Sequence, residues 1–125
     1  MTSPAILATA LRAHAQGLYC TEAAAELLIA GSWLHRADFT SEFIHVRRGL
    51  ADGRAMAIVD WPTAIAAVEA SLPCSGAERR MLRITASLAD GIPVDLQDAL
   101  TGLDDHNVQL LIRAVIHASG QRPAL

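Results

Sequence analysis

The sequence predicts an all-α domain: a compact orthogonal bundle of six or seven short helices, with a short extended segment near 55–59 left open. Three observations lead there. Alanine supplies 24 of the 125 residues, and it has the highest helix propensity of any residue. The larger aliphatic residues recur at intervals of three and four, the period of a helix that buries one face. Ser, Thr or Asp stands before most apolar-periodic runs and glycine after them, as helix starts and stops require.

Ser3-Pro4 opens the first helix, with Ser as cap and Pro at the first helical position, and Gly17 closes it. Leu7, Leu11 and His14 share one face. Thr21 is the expected cap of a second helix over Glu22–Ala30, with Ala24, Leu27 and Leu28 on one side, Glu22 and Glu26 on the other, and Gly31 as its stop. Residues 32–48 read as helical, in one piece or broken near Phe39-Thr40. Phe39, Phe43, Val46 and Leu50 fall at helical spacing, as a buried stripe would. Gly49 and Gly53 bracket a loop. Residues 55–59 fit either a short strand or a helical turn, because five residues carry too little periodicity.

Trp61-Pro62 starts the next helix, with Trp61, Ile65, Val68 and Leu72 as its apolar stripe and Pro73 after it. Ser75-Gly76-Ala77-Glu78 is a capping box, the clearest local signal in the chain. The helix it opens runs to Asp90, with Met81, Ile84, Thr85 and Leu88 inward. Asp95 caps a short helix over Leu96–Thr101, and Gly102 stops it. Asp104 caps the last helix, which runs to Ser119. Val108, Leu111, Ile112, Val115 and Ile116 make that helix the most apolar in the chain. Residues 1–120 therefore form one expected domain and 121–125 a loose tail.

Composition narrows the function classes. Net charge is −3 and all ten basic residues are arginine, which gives no support to general binding of nucleic acid or anionic membranes. Genomic GC content is the economical reason for the missing lysine. Cys20 and Cys74 stand alone, without metal-ligand spacing, and read as free buried thiols of a reducing compartment. With neither a basic leader nor a run of about 18 apolar residues, a cytoplasmic chain without a membrane span is expected.

Three clusters are candidates for chemistry or binding. If one helix spans Trp33–Arg48, then His35, Asp38, Glu42 and His45 share a face, and Glu42-x-x-His45 has the spacing of a carboxylate-bundle metal ligand pair. The plain alternative is a solvated polar face. Arg79, Arg80 and Arg83 crowd the first turns of the capping-box helix, where the macrodipole disfavours cations, and Arg47, Arg48 and Arg54 gather beside Gly49 and Gly53. Either group could meet phosphate or an acidic partner, and a helix-turn-helix can be drawn with Thr40–Arg48 as reader. That drawing has a long turn and an acidic Glu42 on the reader. Five aspartates between Asp90 and Asp105 serve mainly as caps and first-turn acids. On the last helix, Gln109, Ile112, Arg113, Ile116 and His117 are the expected interface residues.

Two stretches, EAAAELLIAGSWLHRADF (Glu22–Phe39) and GIPVDLQDALTGLDDHNVQLLIRAVIHASG within Cys74–Gly120, resemble small uncharacterised helical proteins of actinobacteria. The Lys-free, Ala/Arg-rich style of the chain is similar to theirs. The resemblance covers about half the chain and implies no activity.

The function expected is a non-enzymatic protein-interaction module that self-associates or binds a protein partner, with no cofactor. A small domain buries only about two-thirds of its unfolded surface, and a mean hydropathy of +0.30 leaves apolar surface for an interface to cover. A DNA-associated regulator using an arginine patch and a metal-binding helical protein are the alternatives.

Overall fold

The computed structural model describes residues 2–121. Among these are seven α-helices, a 3-10 turn and a two-stranded antiparallel hairpin. In order they are α1 (Pro4–Ala15), α2 (Tyr19–Ala30), the 3-10 turn Trp33–His35, α3 (Ala37–Phe43), β1 (Ile44–Arg48), β2 (Ala55–Val59), α4 (Trp61–Ala70), α5 (Gly76–Asp90), α6 (Leu96–Leu100) and α7 (Asp105–Ala118). The chain is thus mostly α, but not all-α. The tail expected over 121–125 lies, beyond Gln121, outside the described residues.

Most helix starts fall where their caps predict. The Ser3 hydroxyl accepts from the Ile6 amide, the Ser75 and Glu78 side chains complete the reciprocal capping box, and Asp95 and Asp104 accept from the amides of Asp98 and Asn107. Asp60 caps α4 in the same way, with Pro62 in the first turn. The second and third helices, neither of which has a side-chain cap, are the exceptions, and the second departs most plainly from its predicted start. It begins at Tyr19, three residues before the predicted Glu22, and Thr21 lies inside it. Glu22 acts backwards instead: its carboxylate accepts from the Gly17 amide at 2.9 Å and closes the α1–α2 turn.

The largest departure from expectation is at 44–48. α3 stops at Phe43, and Ile44 turns extended with φ −110° and ψ 120°. Ile44 and Val46 are β-branched and alternate with His45 and Arg47, a pattern that suits a strand once a partner is available. The partner is 55–59, paired Ile44 with Val59 and Arg48 with Ala55. The turn is tight: a Cβ on Gly49 would lie 2.7 Å from Asp52 Oδ1, and Gly53 has φ +66°. The predicted buried stripe therefore breaks in half. Phe39 and Phe43 are buried, whereas Val46 is 41% exposed and Leu50 fully so.

α2 stands at the centre, with α5 and α7 packed along it and α1 beside it, while β2 lies against α1. Two cores meet across α2. Leu28 faces the larger, which joins Leu7 and Leu11 of α1, Trp33, Phe39, Phe43, Ala57, Trp61, Val68 and Leu82. Trp33, Phe39 and Phe43 make successive edge or tilted ring contacts at 5.0 and 5.3 Å. Ala23 and Leu27 face the smaller core, with Met81, Ile84, Ala99 and Ala114. Buried Thr85 is satisfied by donating to the Met81 carbonyl at 2.7 Å.

Candidate functional site

α7 is the site's main element. At about 100° per residue its apolar side chains, from Leu110 round through Ala114 and Val115 to Ile116, fill an arc of roughly 240°. α2 covers one flank of that arc, and Ala114 is the only residue of α7 that is buried. The flank beyond it is open. Ile112 is 47% exposed and Val115 55%. With Val108, Leu111, Ile116 and Leu100 of α6 they line an apolar groove of about 470 Å³. Leu96 and Leu100, both exposed, extend the apolar surface onto α6. Along α7, Asp104, Asp105 and His106 stand at its start, and Arg113 and His117 in its second half.

The predicted interface residues divide between two faces. Ile112 and Ile116 line the apolar groove, whereas Arg113 and His117 line a different groove between α7 and α2. Gln109 is exposed on the polar side of the helix. The α2–α7 groove is the larger, about 860 Å³. Glu22 and Glu26, one turn apart on α2, are both engaged within the chain: His117 Nε2 lies at hydrogen-bond distance, 2.8 Å, from Glu22, and Arg12 reaches Glu26 through two hydrogen bonds of 2.8 and 3.0 Å. The hydrogen bonds from His117 and then from the Gly17 amide hold the Glu22 carboxyl below the usual carboxylate range. Neither pair was predictable, because each joins residues from different helices.

The residues proposed as a metal face do not share one. His35 lies in the 3-10 turn, Asp38 and Glu42 on α3, and His45 on β1 opposite Ile58. Helix over 33–48 was the premise of that face, and the strand removes it. Asp38 is already engaged: Arg36 chelates it at 3.0 and 2.7 Å and stacks 5.1 Å from the Trp33 ring centre, which keeps the Asp38 carboxyl low. Among the described residues no three His, Cys, Asp or Glu side chains are placed to hold a metal ion.

The arginine groups are likewise rearranged. Arg83 is taken up by Glu69 and by Asp98, the latter at 3.4 Å, so the aspartate run partners an arginine within its own chain. Arg80 reaches across to Gly102, and Arg79 Nε is buried. Arg47, Arg48 and Arg54 sit on the hairpin, and Arg48 donates to the Gly53 carbonyl at 3.1 Å. The reader helix over Thr40–Arg48 is not formed, since its second half is β1. Cys20 is exposed rather than buried, with its thiol 3.8 Å from the Ala118 carbonyl, and Cys74 is half-buried.

These features define a mostly-α domain with a small β-hairpin, an uncovered apolar helix face and a polar-rimmed groove behind it. No described helix is long and apolar enough to cross a membrane. Compared with known protein families, curated proteins and solved structures, the chain finds no match.

Proposed function

We propose that this protein is a non-enzymatic interaction module that pairs with a second copy of itself through the α6–α7 face. One observation carries the reading: α7, with six large aliphatic side chains (Val108, Leu110, Leu111, Ile112, Val115 and Ile116), buries a single residue, Ala114, and leaves Ile112 and Val115 about half exposed. A helix apolar over so wide an arc is ordinarily covered on both sides. A second copy is the favoured occupant because the groove is lined by apolar side chains alone, so a second copy of the same face covers it with apolar surface and leaves no charge unpaired. In a two-fold pair the same patch meets itself, and we place α7 antiparallel to its counterpart. That orientation opposes the two helix dipoles favourably.

The test is sedimentation velocity across a wide concentration range, for the wild type and for Ile112→Asp and Val115→Asp. The wild type is expected to move from monomer to dimer with rising concentration. Either aspartate variant is expected to remain monomeric with unchanged helical circular dichroism. A wild type that stays monomeric throughout, or variants that dimerise as well as it does, would overturn the proposal.

A further inference from the structure

We infer that the groove between α2 and α7, on the flank of α7 away from the proposed pairing face, binds an amphipathic anion: a medium-chain aliphatic carboxylate. Its volume, about 860 Å³, lies within the range of roughly 300–1,000 Å³ typical of small-molecule sites. Ala23, Leu27 and Ala114 are buried along its floor, with Leu110 and Ala30 toward one end and Tyr19 at the other. Tyr19 to Ala30 is the length of α2, roughly 16 Å at 1.5 Å per residue, so the trough suits an elongated apolar body rather than a compact one.

Charge decides the head group. Three further ionisable side chains line the groove, Glu26, Arg113 and His117. Glu26 is held by Arg12 and His117 faces Glu22, so both are occupied within the chain. Arg113 makes no ion pair or hydrogen bond among the described residues. The groove therefore offers one uncommitted guanidinium beside an apolar floor. A carboxylate matches it with a two-pronged hydrogen bond between opposite charges, whereas a cationic head would be repelled and a neutral one would lack the opposite charge.

Isothermal titration with dodecanoate below its micelle concentration tests the assignment. The wild type is expected to bind one equivalent, and dodecyltrimethylammonium, with the same chain and opposite charge, is expected to bind at least tenfold more weakly. Arg113→Gln should weaken dodecanoate binding about tenfold. Ala30→Trp fills the trough from an exposed position, so the fold survives and binding should be lost. Ile112→Asp disables the other face of α7 and should leave binding intact, which separates this site from the proposed dimer. Absence of wild-type binding, equal affinity for the two head groups, or loss in Ile112→Asp with retention in Ala30→Trp would overturn the inference. Binding that falls as the protein dimerises would place the second copy in this groove and overturn it equally.

Discussion

α5 and α7 are of nearly equal length, both pack along α2, and both start at a side-chain cap, yet they are used differently. α5 buries Met81, Leu82, Ile84, Thr85 and Ala86 and leaves Glu78, Arg80 and Arg83 half-buried at its edge. α7 buries Ala114 alone. The apolar stripe of α5 is as wide as the neighbours that cover it, because α2, α4 and α6 all lie against it. α7 has α2 on one flank and an apolar surface on the other. The contrast separates apolar residues that hold this fold together from apolar residues available to something outside it.

The largest expected effect breaks that contrast most directly. Leu82 is 1% exposed on α5. Leu82→Ala should cost about 2–5 kcal/mol in urea unfolding, from lost burial and the cavity left behind. Val115→Ala, on the open flank of α7, should change monomer stability by less than about 0.5 kcal/mol. If Val115→Ala destabilises the dilute monomer as strongly as Leu82→Ala, the open flank of α7 is part of the fold and not a free surface.

A smaller effect sharpens the comparison at the helix starts. Ser75 and Asp104 perform the same task, each accepting from a backbone amide three residues on, at 3.1 and 2.9 Å. Ser75→Ala should lower global stability by about 1 kcal/mol, since α5 is central to both cores. Asp104→Ala removes a comparable bond from a helix anchored on one side. Its effect should therefore appear first as faster amide hydrogen exchange in the first turns of α7, before any change in global unfolding. Equal acceleration across the whole molecule would show that α7 does not open by itself.

The sequence was most legible where information is local. Capping residues sit within three positions of the amides they satisfy, so Ser3, Ser75, Asp95 and Asp104 marked their helices correctly. The Thr21 cap failed because the turn before α2 is closed by Glu22 reaching back to Gly17, and both residues suit either arrangement. Helical spacing of Phe39, Phe43, Val46 and Leu50 was genuine for the first pair only. Strand pairing with 55–59 is a non-local interaction, and it overrides the local period from Ile44 onward. The metal face and the DNA-reader helix both depended on that segment, and both were undone by it. Of the residues expected at an interface, Ile112 and Ile116 line the apolar groove of α7, and separating them from Arg113 and His117 required knowing which side α2 occupies. The α2–α7 groove had no sequence signature, since its rim is assembled from residues roughly ninety positions apart.

The smallest effect concerns how the end of α7 is held to α2. The Glu22 carboxylate, bonded to His117 Nε2 and to the Gly17 amide, has its pKa lowered from an ordinary 4.5. A carboxyl whose folded pKa lies below its unfolded one contributes stability above the unfolded value and loses it as pH falls through the folded one. The docking of the last turns of α7 should therefore weaken as pH drops below about 4.5. Hydrogen exchange at Val115–Ala118 followed from neutral to acid pH checks this. Glu22→Gln should raise exchange there at neutral pH and flatten its acid dependence. A Glu22→Gln protein whose α7 amides still respond to acid as the wild type does would assign that response to another carboxylate, and the Glu22–His117 contact would then not be what holds the end of α7 to α2.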